Sequence, residues 1–336
     1  MPLSLASNND IIGLHKQTNE ATVGTVADYS FPLLTGDHMA PVQDTAAIQV
    51  TDAASIVGDS FKNAGEHWEG MVVTPAFDAM LGTMLVSMWP TDTPSGVAPS
   101  RLHTFTGLGS TPPWMSMYEN FASASLSQTF AKGICSGIEF EFDTTRPLRV
   151  TYHMVGETPS VAAFTVTVAQ TLLDGFFAPL APANTLLKFD EDTSTPATHT
   201  NIVSGKISVM RDVTPLMTAD GATVNFLAQG LLVVSGHLQV VWTDWDAFKT
   251  TYYQAAAGTT AGATWPAGSV DLLFGHTTSA TSLFEIKLDK CLFSTTAPAP
   301  DPQASPLLMD IDLLVNKPAA GDHCKMLLTN NVTPAY

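Results

Sequence analysis

Apolar and polar residues alternate most cleanly at positions 138–143, where Ile138, Phe140 and Phe142 interleave with Glu139, Glu141 and Asp143. A period of two predicts a strand with one buried face and one wet face. Phe284, Ile286 and Leu288 against Glu285, Lys287 and Asp289 repeat the layout. Met309, Ile311 and Leu313 oppose Asp310 and Asp312 in the same way. Apolar runs predict further strands over 25–34, 46–50, 67–73, 114–118, 148–155, 202–210, 238–242 and 269–275. The turn at 144–147 joins 138–143 to 148–155 as a hairpin.

Two segments break the period towards a helix. Thr74-Pro75 offers an N-cap and a first helical residue, and 76–88 carries Met80, Leu81, Met84 and Leu85 before Trp89-Pro90 stops it. Thr243-Asp244 opens a second short helix over 245–255. Residues 91–100 and the proline-rich 297–306 read as loops, 1–25 as an arm, and 316–336 as an irregular tail. Residues 121–132 have no clear period, and 164–172 is a further apolar segment.

The order of elements recurs. Phe77-Asp78-Ala79-Met80 after one strand matches Trp245-Asp246-Ala247-Phe248 after another. Downstream, 138–143 with 148–155 resembles 283–288 with 307–315. The expected fold is mainly β with short helices, duplicated in tandem. The expected units are 1–177, including the arm, and 202–336, including the tail, joined by a linker at 178–201 that is rich in proline, threonine and aspartate.

The net charge of −17, from 31 acidic and 14 basic residues, argues against a basic grip on nucleic acid. Charged residues make up 13% of the chain, against the usual ~25%, which fits a protein that hides surface in an assembly. Cys135, Cys291 and Cys324 are odd in number and far apart, which speaks against a disulfide framework and for synthesis in the cytoplasm. No secretion signal is evident in the first residues, and no apolar run reaches the ~18 residues of a membrane span. No membrane partner is expected.

Gly58-Asp59-Ser60 has the form of an esterase nucleophile block, but no histidine has an aspartate three residues before it; a turn is the expected reading. Gly133-Ile134-Cys135-Ser136-Gly137 has nucleophile-elbow spacing but leads into a strand rather than a helix, so a bulge is expected there. Asp37-His38 and Asp322-His323 stand in turns without a second pair of metal ligands. No catalytic residue, metal site or cofactor is expected, and the chain does not read as an enzyme.

Glu66-His67-Trp68-Glu69-Gly70, the helix that runs to Trp89, Leu102-His103-Thr104-Phe105 and Gly137-Ile138-Glu139-Phe140-Glu141-Phe142 form one set of features. Residues 148–156 and 202–209, Val234-Ser235-Gly236-His237-Leu238-Gln239-Val240 and Phe284-Glu285-Ile286-Lys287-Leu288 complete it. With these features the chain resembles the tail tube (major tail) proteins of long-tailed, non-contractile bacteriophages, over residues 25–316. The resemblance implies a tail-tube-type two-sheet β sandwich with short flanking helices, in a virion protein of the phage tail, made in the host cytoplasm, whose rings stack into a tube that conducts the genome. It implies self-association, as a trimeric pseudo-sixfold ring if the chain holds two repeats or as a hexameric ring if it holds one. Tape measure, terminator and distal tail proteins would be its partners, and double-stranded DNA would pass without specific binding. Acidic strand faces suit such a lumen because they repel phosphates. The candidate lumen-facing residues are Glu139, Glu141, Asp143, Glu285, Asp289, Asp310 and Asp312; an ordinary solvated exterior is the competing reading. The alternatives are another β-sandwich virion protein (capsid or decoration), a carbohydrate-binding sandwich using the six tryptophans, and, least favoured, a Gly-Asp-Ser hydrolase.

Overall fold

The computed structural model describes residues 11–20, 28–32, 39–52, 55–121, 126–157, 175–179, 186–190, 201–217, 224–241, 249, 253, 268–295, 308–316, 322–332 and 336. The protein is mainly β. The first half holds β1 (Ile11–Lys16), β2 (Tyr29–Pro32), β3 (Met39–Asp52), β4 (Ser55–Pro75), α1 (Asp78–Met88), β5 (Thr91–Ser95), β6 (Arg101–Thr106), β7 (Met115–Phe121), β8 (Leu126–Asp143) and β9 (Arg149–Gly156). The second holds β10 (Phe177–Ala178), β11 (Leu186–Asp190), β12 (Ile202–Met217), β13 (Val224–Val241), β14 (Gly268–His276), β15 (Leu283–Thr295), β16 (Leu308–Val315) and β17 (Cys324–Asn330).

Among the described residues every strand pairing is antiparallel, and the ladders connect into one 17-stranded sheet that folds over into two layers. In one, neighbours run β3, β4, β9, β8, β12, β13, β16 and the C-terminal end of β15. In the other, β5, β6, β17, the N-terminal part of β15 and β14 lie side by side, with β10 and β11 on the far edge of β14. The N-terminal part of β8 pairs with β7, which pairs with β1 and through it β2. β15 thus serves both layers, while β8 joins the first layer to the ladder of β7, β1 and β2. Each turns at a lysine of positive φ, Lys132 at 53° and Lys290 at 61°. A left-handed residue inside a strand redirects the chain and ends one ladder where the next begins.

The core lies between the layers. Phe140 of β8 meets Phe284 of β15 at 5.4 Å between ring centroids, and Phe142 meets Phe274 of β14 at 5.3 Å. Trp68 of β4 meets Phe130 edge-on at 5.5 Å. Gly133 and Gly156 make room for that indole, since a Cβ on either would sit within 2.5 Å of it. The helix α1 packs on β8 and β17 and is buried on all sides, with Met80, Leu81, Met84, Leu85, Val86 and Met88 all in the core. A Cβ on Gly82 would meet the Tyr336 ring at 2.1 Å, so this glycine admits that ring against the helix.

Several expectations need correction. α1 begins at Asp78 with Phe77 at the N-cap and no side-chain cap. Thr74 and Pro75 finish β4 instead, opposite Val150 and Arg149, because the β9 ladder carries the strand past the capping signal. Gly58-Asp59-Ser60 is not a turn; it lies in β4 opposite Gln49, Ile48 and Ala47, where cross-strand pairing overrides a local turn preference. Residues 91–95 and 324–330 are strands, not loop and tail, the latter burying Cys324, Met326 and Leu328 on alternate positions. The 178–201 segment contains β11, whose Phe189 is buried against Phe293. The residues without a clear period belong to β8 from Leu126 onward. The bulge expected at Cys135–Gly137 is present as a register shift between these residues. Lys249 and Tyr253, within the second expected helix, are helical. The expectations for 1–10, 33–38, 164–172 and 297–306 lie outside the described residues.

Candidate functional site: a charged sheet face and its open edges

On β8, β9, β12, β13 and β16 one set of alternate residues enters the core, and the other set faces away from it. Ile138, Phe140, Val150, Tyr152, Ile207, Leu238 and Ile311 are buried. Their neighbours Glu139, Glu141, Thr151, Lys206, His237, Asp310 and Asp312 form the outward face. Register fixes who meets whom, since Lys206 lies opposite Glu141 and Ser208 opposite Glu139. Lys206 Nζ reaches Glu139 at 2.9 Å, His153 Nε2 lies 3.6 Å from the same carboxylate, and the Ser208 hydroxyl donates to it at 3.1 Å. Burial works to raise the Glu139 pKa. The Lys206 hydrogen bond and charge outweigh that, helped by His153 and Ser208, and hold it below its ordinary value. Arg149 lies 3.7 Å from Glu141. At the strand end the Thr145 hydroxyl and amide donate to Asp143 at 2.6 Å, the hydroxyl being the main cause of its lowered pKa. His237 sits between Asp312 at 2.8 Å and Asp310 at 3.4 Å.

The seven acidic candidates do not share one face. Glu139, Glu141, Asp143, Asp310 and Asp312 belong to the first layer. Glu285 and Asp289 stand on the part of β15 that pairs with β14 and β17. Phe284 beside them points across the core at Phe140, so Glu285 and Asp289 point away from the first layer's wet face. The Lys290 turn separates the two groups, and alternation along a chain carries no information about such a turn. Glu285 is held by Lys287 at 2.8 Å and Asp289 by Lys325 at 3.2 Å. Burial, then the Glu285 charge, raises the neighbouring Asp271 to about 6. Sequence reasoning missed Glu69, exposed on β4, and Lys206, although Lys206-Ile207-Ser208-Val209 alternates legibly.

Part of the pairing scheme recurs in both halves, although the β15–β17–β6 ladder has no counterpart among the described residues of the first. The hairpin of β3 and β4 corresponds to β12 and β13; β4 pairs with β9 as β13 pairs with β16. β8 pairs with β7 and then β9, as β15 pairs with β14 and then β16. The Glu157 amide donates to the Lys132 carbonyl at 3.3 Å, and the Asn316 amide to the Lys290 carbonyl at 3.1 Å. Leu283–Leu288 therefore matches the start of β8, not Ile138–Asp143 as the alternation suggested. The halves join where Gly137–Asp143 of β8 pairs with Ser204–Met210 of β12. Among the described residues, β3 pairs only with β4, and Leu292–Thr295 of β15 pair only with β16.

The motifs suggestive of chemistry are occupied otherwise. Cys135 and Cys291 are buried, and burial pushes both thiols up to about 12, far from a nucleophilic thiolate. His103 is fully buried with Nδ1 2.8 Å from Asp92 and Nε2 3.3 Å from the Val332 carbonyl, so both ring nitrogens are engaged within the protein. Asp322 accepts the Gly107 amide at 2.9 Å. Among the described residues no three His, Cys, Asp or Glu side chains converge as a metal site, and no helix is long and apolar enough to cross a membrane. No protein-family model matches the chain, and no curated protein matches it.

Proposed function

We propose that this chain is a structural subunit of a bacteriophage tail tube, assembled head to tail into rings that stack into a conduit for DNA. The observation that carries the reading is the junction of β8 with β12. It joins two halves that share part of their pairing scheme, read as tandem repeats, into one continuous sheet. Among the described residues the same two kinds of edge are left open at its ends, on β3 and β15. Open edges are normally protected, and repeating the internal junction between chains would cover both. Each chain would then supply two of six equal sectors, so three chains close a pseudo-sixfold ring whose barrel has no edges. The face bearing Glu141, Asp143, Asp310 and Asp312 would line the lumen, where negative charge repels phosphates and lets DNA slide. Glu285 and Asp289 would face outward.

Native mass spectrometry and end-on microscopy of the assembled protein test this. Three copies per ring with approximate sixfold symmetry are expected. Rings of six identical chains would refute the two-repeat reading, and a population of monomers alone would refute the tube.

A further inference from the structure

We propose that α1, β5, β6 and β17 build a socket that recognises a hydroxyphenyl side chain, and that Tyr336, seated in it, is the plug that clasps β1 to the helix. The socket shares no residue with the charged sheet face, and it does not depend on the ring reading.

Each part of a tyrosine has a partner there. A Cβ on Gly82 would overlap Cζ and both Cε atoms of the ring, so the outer end of the ring lies directly on the backbone of α1. His103 of β6 stands edge-on to the ring at 5.0 Å between centroids, and Phe105 lies at 6.0 Å. Asn330 Nδ2 donates to the phenol oxygen at 2.6 Å and to Asp78 Oδ1 at 2.7 Å, while Asn330 Oδ1 accepts the Val332 amide at 3.0 Å. These bonds orient a fully buried carboxamide and use both of its N–H groups. The Tyr336 amide donates to Asp92 Oδ2 at 3.0 Å, and its backbone oxygen accepts from Lys16 Nζ of β1 at 3.0 Å.

The walls are held by contacts that do not involve the ring. Asp92, itself buried, lies 2.8 Å from His103 Nδ1, and the Val332 carbonyl lies 3.3 Å from Nε2, which fixes the imidazole beside the plug. Val332 and Tyr336 both rest against His103, so the chain leaves the socket wall and returns to it. Without the phenol oxygen one Asn330 N–H would stay buried and unpaired, which is costly. Glycine is a poor helix former, and in α1 its missing Cβ is what admits the ring. The ligand this site fits is a para-substituted phenol, and filling it ties β1, β5, β6, α1 and β17 together at one point.

The test uses full-length chains, thermal unfolding, and p-cresol, which is the tyrosine side chain as a free molecule. Tyr336→Ala should melt several degrees below wild type. p-Cresol should restore part of that loss saturably and leave wild type unmoved. Toluene lacks the hydroxyl and should need about ten times the concentration for the same shift. Gly82→Ala separates a ring socket from ordinary helix packing. It should lower the melting temperature of wild type, because the ring is displaced, and raise that of Tyr336→Ala, where helix propensity alone decides. A Tyr336→Ala chain indifferent to p-cresol, toluene as effective as p-cresol, or Gly82→Ala acting with the same sign in both backgrounds would each overturn the socket. Tyr336→Phe keeps the ring and loses only the Asn330 bond, so it covers the case in which Tyr336→Ala does not fold. It should melt below wild type, and an equal melting temperature would overturn recognition of the hydroxyl.

Discussion

At the scale of single residues, Glu119 carries the largest consequence. Burial raises its pKa from 4.5 to about 7, and the Met39 hydrogen bond only partly offsets that. A raised carboxyl means that stability is present in full below the unfolded value and is lost as pH rises through the folded one. Glu119→Gln removes this dependence. Urea unfolding of dilute protein should show the variant gaining on wild type between pH 4.5 and pH 8, by about 2–3 kcal/mol at ~1.4 kcal/mol per unit. A constant difference across that range would contradict the burial argument. Nothing in Met115–Phe121 as a string marks Glu119 as special. Its surroundings come from β1, β3 and β8, so its character follows from contacts distant in sequence.

At the scale of elements, alternation was a reliable guide to strand faces, as at Ile138–Asp143 and β16, and a poor guide to strand length and continuity. β4 and β8 run 21 and 18 residues, through glycines and a segment that by itself reads as turn or coil. Pairing partners hold these segments extended. The same applies to the lysine turns. Lys290 at φ 61° adopts a conformation that costs an L-residue ~1–2 kcal/mol and that β-branched residues resist more strongly. Lys290→Val should therefore lower stability by about 1–2 kcal/mol or more, while Lys290→Gly should be tolerated. Thermal unfolding of both variants measures this. A valine variant as stable as glycine would show that the turn is not a constraint on β15.

At the scale of the whole molecule, the net charge of −17 is unevenly placed. Glu139 is tied to Lys206 and His153, whereas the side chains of Glu141, Asp310 and Asp312 are 54%, 58% and 75% exposed. The charge-reversal test belongs on these three. Glu141, Asp310 and Asp312 changed together to lysine should leave the apolar face of the sheet intact and let tubes form. On the tail-tube proposal, DNA ejection from particles carrying them should slow, and more so at low salt, where screening is weaker. Ejection at the wild-type rate across salt concentrations would place this face outside the DNA path.

The sequence by itself determined that the chain is mainly β and which residues of the alternating strands are buried, because the side-chain period of a strand is local. Tertiary structure alone decided the partners. It set Leu283–Leu288 against β14 and β17 rather than beside β16, and so divided the acidic stripes between two opposite faces. It joined β8 to β12 across the chain and left the edges of β3 and β15 uncovered among the described residues. Strand pairing depends on backbone groups that every residue carries, so a side-chain pattern shows which face is buried but not which strand lies alongside.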